Sequence, residues 1–268
     1  MPLKKYKVEH LNIARILAAL RASLVHLFFS ILVAAIFAAL VFLIWYPLPY
    51  VELAGGKELF LLVVGVDVIC GPLLTLVLFD TGKPKKELWR DLGLVAIIQL
   101  AALGYGIYNV WIARPIFLVM EIDRFKVVNL PDLDSTEARS ALDKLPASLK
   151  SNLWSGPVVV AIREPVDAQE RKDVLFESIQ DGRDYAQRPD FYLPYEGDAA
   201  KKSLSKARPL ALFLEKQPSQ KVAAAAMATA KRVMISQWVY VPVIGRKDWI
   251  AILNNQGGIE GFLPGDGF

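Results

Sequence analysis

Sulfur and imidazole are scarce in this chain. Of its 268 residues one is cysteine, Cys70, and two are histidines, His10 and His26. Cys70 lies inside a long apolar run, so the C-terminal part can build neither an intramolecular disulfide nor a thiolate metal site. Both histidines fall near the N-terminus, which excludes histidine-based zinc sites and acid–base catalysis from that same part. G-x-S-x-G, H-E-x-x-H, C-x-x-C and a Walker loop are all missing. Gly104-Tyr105-Gly106 sits within an apolar run with no strand before it and does not read as a nucleotide loop. The net charge of +4 and pI near 9.0 come without a basic stripe interleaved with aromatics, which argues against nucleic acid as a partner. No catalytic residue, cofactor-binding residue or metal ligand is expected, and the chain reads as a non-enzyme that uses no cofactor.

Apolar residues, by contrast, are in excess: 54% of the chain, with a mean hydropathy of +0.35. They concentrate in three runs, residues 24–46, 59–79 and 92–113. Each is about 20 residues or more, enough to cross a hydrocarbon core about 30 Å thick. The reading is a membrane protein with three transmembrane α-helices followed by an α+β domain. Its divisions are a basic N-terminal segment (1–23), the three-helix transmembrane domain (24–113) and the head (114–268).

Flanking charge orients the spans. Lys4, Lys5, Lys7, Arg15 and Arg21 precede the first run. The connection after it carries Lys57 as its one basic residue, whereas the next carries Lys83, Lys85, Lys86 and Arg90. By the positive-inside rule the N-terminus is cytoplasmic, and three spans then place the C-terminal head outside, in the periplasm of a Gram-negative cell. The first run exceeds a signal-peptide core and ends in Trp45-Tyr46-Pro47-Leu48-Pro49-Tyr50 rather than a small-residue cleavage site, so it reads as an uncleaved anchor. His26, near the cytoplasmic end of this span, reads as an interfacial side chain.

Asp67 is the one acidic residue inside an apolar run. A carboxylate there costs at least a few kcal/mol unless protonated or paired. Equal depth along the antiparallel third span arrives near Tyr105, with Asn109 one turn outward, and both are candidate donors to Asp67. Two readings stay open: a tie within the bundle, or a site facing a transmembrane helix of another protein. Gly71-Pro72, followed by Thr75, marks a kink whose freed carbonyl a hydroxyl can satisfy. Gly93, Gly104 and Gly106 give the third span small positions for close helix approach, and Gln99 adds a polar group near mid-membrane.

In the head, 116–128 reads as a strand leaving the membrane. Glu121 and Asp123 would share a face of it, and with Arg124 and Arg114 they form a candidate ion-pair cluster at the membrane–head junction. Asp134 with Glu137 carries a capping-box spacing that opens a short helix. Residues 157–162 read as a buried strand, and Asp167 with Glu170 as the start of a helix bearing Val174, Leu175 and Ile179. Two more helices are expected over 209–216 and 219–234. The chain then forms a hairpin from 238–244 and 249–253, with Pro242 placing its first strand at an edge or bulge.

Trp45-Tyr46-Pro47, Val66-Asp67-Val68, Gly71-Pro72, Thr75, Asp91-Leu92, Gln99-Leu100, Tyr105-Gly106, Ala113-Arg114-Pro115, Glu121 and Asp123-Arg124-Phe125 together resemble the type IV pilin accessory proteins (the TfpX/TfpZ family). The resemblance runs through the spans into the first strand of the head. It implies a non-enzymatic inner-membrane protein that assists type IV pilus biogenesis by binding, stabilising or delivering a cognate pilin. The partners it implies are that pilin, the inner-membrane lipid bilayer and the pilus assembly machinery. The chain lacks a pilin's own basic leader before a Phe-Thr-Leu-x-Glu start, which makes it a helper and not a pilin. Two alternatives remain: a membrane enzyme that modifies pilin through Asp67 or the Glu121/Asp123 pair, and a structural subunit of another envelope assembly.

Overall fold

The computed structural model describes residues 13–180 and 182–268; Lys4, Lys5, Lys7 and His10 lie outside them. The chain divides into two compact units, one of residues 13–40 with Glu58–Val110, the other of Val41–Lys57 with Trp111–Phe268.

The first unit is helical. Helix α1, Ile13–Leu40, continues as a π-helical turn over Val41–Trp45. Like that π-helical turn, the four-residue α2, Tyr50–Leu53, belongs to the second unit; α3 is Gly56–Leu78 and α4 is Lys85–Ile112. Three of these helices, Ile13–Trp45, Gly56–Leu78 and Lys85–Ile112, are long and apolar enough to cross a membrane. Two begin well before their apolar runs, α1 at Ile13 rather than 24 and α4 directly after Pro84 rather than at 92. Helical propensity carries through the Lys, Glu and Arg residues there, which end an apolar run without ending a helix. The ends are tied by charge: Arg15 Nε lies 3.2 Å from Asp80 Oδ2 and Lys83 Nζ 2.8 Å from Asp91 Oδ2. Helix α3 runs unbroken through Pro72.

The second unit is built on one sheet. Its strands are β1 (Pro115–Met120), β2 (Phe125–Asn129), β3 (Val158–Ile162), β4 (Tyr192–Pro194), β5 (Arg208–Pro209), β6 (Val239–Ile244), β7 (Trp249–Leu253) and β8 (Ile259–Pro264). Their order is β4-β3-β1-β2-β6-β7-β8, with β5 pairing to β6. The β1–β3 and β2–β6 pairs are parallel and the others antiparallel. Around them lie α5 (Thr136–Lys144), α6 (Ala168–Gln180), α7 (Gly197–Ser203), α8 (Leu210–Lys216) and α9 (Lys221–Lys231). The mixed α/β composition expected of the head is therefore present.

Alternation along the strands separates two faces. Phe117 and Val119 pack with Leu133, Ala138 and Leu145, while Tyr240, Ile250 and Ile252 pack with Phe213, Leu214, Ala224 and Ala228. Helices α5, α8 and α9 thus cover one face. On the other, Leu118, Met120, Phe125, Val241, Val243, Trp249 and Ala251 pack with Tyr50 and Leu53. The connection between the first two spans is therefore part of the head's core, although its sequence reads as an ordinary interfacial loop. The Arg246 N–H donates to the Leu53 carbonyl at 2.6 Å, which fixes it there.

Several expectations are amended. The single strand over 116–128 is a hairpin, β1 and β2, turning at Glu121–Arg124 where the Glu121 N–H donates to the Arg124 carbonyl at 2.9 Å. The cap of α5 is Ser135, whose Oγ accepts from the Ala138 N–H at 3.0 Å, and Asp134 instead pairs with Arg139. On α6, Val174 is buried but Leu175 and Ile179 are exposed. The β6–β7 hairpin is present, but β6 is an interior strand. Pro242, opposite Ile250, falls between the stretch of β6 paired with β5 and that paired with β2, where its missing N–H interrupts little of the ladder.

Glu170 forms as the capping pattern predicts, with its N–H on Asp167 Oδ1 at 2.8 Å. Its carboxylate also accepts from Arg163 Nη1 and Nη2 at 2.9 and 2.7 Å and from the Val166 N–H at 2.6 Å. These bonds hold it well down, at about 2. A depressed carboxylate contributes stability that is present above its ordinary value of 4.5 and lost as pH falls through about 2. Acid melting of the protein in detergent should therefore show wild type more stable than Glu170→Gln near pH 6, with the two curves converging by about pH 2.

Candidate functional site

Within the helical unit, polar groups form two small clusters between the helices. Gln99 Nε2 on α4 reaches Asp67 Oδ1 and the Asp67 carbonyl on α3, each at a long 3.4 Å. One turn further along α3, Gly71 makes room for this: a Cβ there would overlap the Gln99 carboxamide. Deeper toward the α1 N-terminal end, Ser23 Oγ donates to the Pro72 carbonyl at 2.8 Å, and His26 Nδ1 lies 2.6 Å from Thr75 Oγ1. Ser23 and Thr75 are buried. Ser23, His26, Thr75 and Gln99 thus each have a partner where they enter the apolar bundle, as a bilayer interior demands.

These contacts correct the expected ones. Tyr105 and Asn109 do not serve Asp67; Tyr105 is 71% exposed, and Asn109 Nδ2 donates to the Tyr105 carbonyl of its own helix at 2.7 Å. Gln99 takes the donor role. His26, half-buried, faces Thr75 across the bundle. Of the glycines on α4, Gly106 meets α3, where a Cβ would come within 2.5 Å of Val63, whereas Gly93 and Gly104 have open space beside them.

The junction cluster also separates. Arg124 Nε bonds Asp123 Oδ1 at 2.7 Å, and the guanidinium lies 4.8 Å from the Phe268 ring centroid. This pairing holds the Asp123 carboxyl below its usual range. Glu121 turns the other way, accepting from the Ala186 N–H at 3.1 Å, and burial pushes its carboxyl up. Arg114 joins neither. It is buried at the end of α4, over the Trp111 ring at 4.9 Å, donating to the Trp111 and Asn152 carbonyls at 3.3 Å each. The expected four-residue network is therefore a half-buried ion pair, a half-buried carboxyl on a backbone amide, and a separate buried cation.

A groove of about 680 Å³ opens in the head between α5 and the segment around Arg188. Glu177 there accepts from Arg183 Nη2 at 2.7 Å and from Arg188. Lys144, Glu137 and Asp190 complete a mixed-charge lining without a nucleophile–base pair. Sequence reading missed this groove because its charges come from three separate segments. Among the described residues no three His, Cys, Asp or Glu side chains gather in a way that would hold a metal ion.

Comparison with known proteins gives a consistent relationship. A family profile described as "Fimbrial assembly protein FimB" matches residues 14–55, which run from α1 through α2. The "Fimbrial assembly protein, serogroup I" of Dichelobacter nodosus is 33% identical over 264 residues, covering 96% of this chain and 99% of that protein. The serogroup E1 protein of the same organism is also 33% identical over the same extent. That of serogroups C1 and C2 is 41% identical over 136 residues, 51% of this chain and 98% of its own. No solved structure matches. With two relatives aligned along nearly the whole length of both chains, and with the resemblance already carried by the spans, this protein belongs to the fimbrial assembly protein family.

Proposed function

We propose that this protein is a non-enzymatic accessory factor of the inner membrane that assists fimbrial biogenesis by binding a cognate type IV pilin and stabilising or delivering it to the assembly machinery. The observation that carries the reading is the full-length relationship to fimbrial assembly proteins. The architecture suits it. A pilin waiting in the membrane offers an apolar helix and a globular head, and this chain pairs three spans with a folded domain. Engaging both would make the second contact intramolecular and raise avidity.

Orientation follows from charge. Arg15, Arg21, Lys83, Lys85, Lys86 and Arg90 flank one set of helix ends and only Lys57 and Arg114 the other, so the first set is cytoplasmic and the head periplasmic. The α3 face around Asp67 is the proposed contact for the pilin helix, since Val66 and Ile69 beside it point outward, more than half exposed.

Photo-reactive side chains at Val66 and in the head, in cells that make the pilin, test the contact directly. A pilin adduct is expected, and its absence at normal levels of both proteins would count against direct binding. Asp67→Asn should lower surface pili several-fold while leaving this protein's own abundance unchanged. Full piliation at wild-type abundance would remove Asp67 from the proposal. Loss of the protein itself would mark the residue as a bundle tie.

A further inference from the structure

We propose that the turn over residues 151–156 of the head is a membrane-interface anchor that seats the Trp154 indole among lipid headgroups and the upper acyl chains. Trp154 is 72% exposed and its neighbour Leu153 is also exposed. An indole that carries so much apolar surface is seldom left in water, and its preferred exposed setting is the bilayer interface.

The turn is held rigidly. The Trp154 N–H donates to Asn152 Oδ1 at 2.7 Å, and the Asn152 N–H to Ser155 Oγ at 2.9 Å. More telling is what it is held to. Trp45 Nε1 donates to the Leu153 carbonyl at 3.0 Å, and Arg114 Nη2 to the Asn152 carbonyl at 3.3 Å. Gly156 lies against Pro47 and the Ile44 carbonyl. Trp45 is the last residue of the first membrane-spanning helix, and Arg114 follows closely on Ile112, the last residue of the third. Both ties therefore reach the level at which the chain leaves the apolar core. A turn bonded there cannot stand a head's width away in water.

Composition agrees with that level. Ser151, Asn152, Leu153, Trp154, Ser155 and Gly156 carry no charged side chain, so the turn meets no charge-desolvation penalty on approaching lipid. The occupant is the bilayer and not a partner protein, because the ties that set the height of the turn come from this chain alone. The inference holds for either orientation of the protein and is independent of the pilin reading.

The test uses the full chain, Cys70→Ser, reconstituted without any partner in phosphatidylcholine–phosphatidylglycerol vesicles. A nitroxide at Trp154→Cys should be relaxed several-fold more by lipid-soluble oxygen than by a water-soluble nickel chelate. The same label at Val222→Cys, 80% exposed on α9, should show the reverse. A label at 154 that behaves like the one at 222 would overturn the proposal. The native indole gives a second readout. Lipid brominated high on its acyl chains should quench a component of wild-type tryptophan emission that Trp154→Phe loses, and equal fractional quenching of the two proteins would also overturn it.

Discussion

Replacing Leu53 by alanine should destabilise the second unit by about 2–5 kcal/mol, although Leu53 lies between two membrane spans rather than in the head by sequence. The side chain is fully buried, at 0% exposure, against the sheet face that also carries Leu118, Phe125, Val241 and Val243. Removing its methyl groups leaves a cavity in that face, and the Arg246 N–H bond to the Leu53 carbonyl holds the backbone in place so that the site cannot easily collapse. Leu53→Asp should go further and leave the head protease-sensitive, since an unpaired carboxylate would enter the core. Leu48, 80% exposed in the same connection, supplies the control, and Leu48→Ala should leave the thermal transition in place. If Leu53→Ala and Leu48→Ala melt alike, the connection does not contribute to the core. By the same reasoning a fragment of residues 114–268 alone should be produced in an aggregated form, because the sheet face that Tyr50 and Leu53 cover would be exposed.

The second large effect is expected at Gly257. Its φ of +81° lies in the left-handed region, and a Cβ there would overlap the Ala200 carbonyl. The position is fixed from both sides, by the Gly257 N–H on the Asn254 carbonyl at 3.0 Å and the Tyr195 hydroxyl on the Gly257 carbonyl at 2.7 Å. Gly257→Val therefore combines a backbone penalty of about 1–2 kcal/mol with overpacking of about 1–3 kcal/mol. Gly197 separates the two contributions, having φ +54° but open space beside it. Gly197→Ala should lose only the backbone part, about 1–2 kcal/mol. Thermal melts of the two variants that coincide would refute the steric argument at Gly257.

The parts of this fold that were legible in the sequence are those a local rule constrains. A bilayer demands length and apolarity, so the three spans stood out, and the β-branched runs that became β3, β6 and β7 did so for a related reason. Strand β8 escaped because Ile259–Pro264 carries Glu260, Gly261 and Pro264, residues poor in strand preference. The partner of Asp67 was misplaced by the choice of origin. Counting depth from the edges of the apolar runs led to Tyr105, whereas counting from the helix ends Gly56 and Ile112 leads to Ala101, close to Gln99. The junction residues failed differently. Glu121 and Asp123 share a face only if the strand continues, and the chain turns there instead. No local pattern could reveal that Tyr50 and Leu53 are core residues, because the strands they cover are encoded far downstream.

That last feature makes this head a discontinuous domain, with two hydrophobic helices intervening between its pieces. During synthesis the cover is made first and must wait for the sheet. Roughly 200 residues separate Leu53 from Arg246, and at about 5–20 residues per second the wait is roughly 10–40 s. Closure then depends on contacts of high sequence separation, which form slowly. An even number of crossings between the two pieces thus becomes a condition for finishing the head, and a chain in which only one of α3 and α4 crosses would present an open sheet to the cell's proteases. Topology and folding are checked in one step.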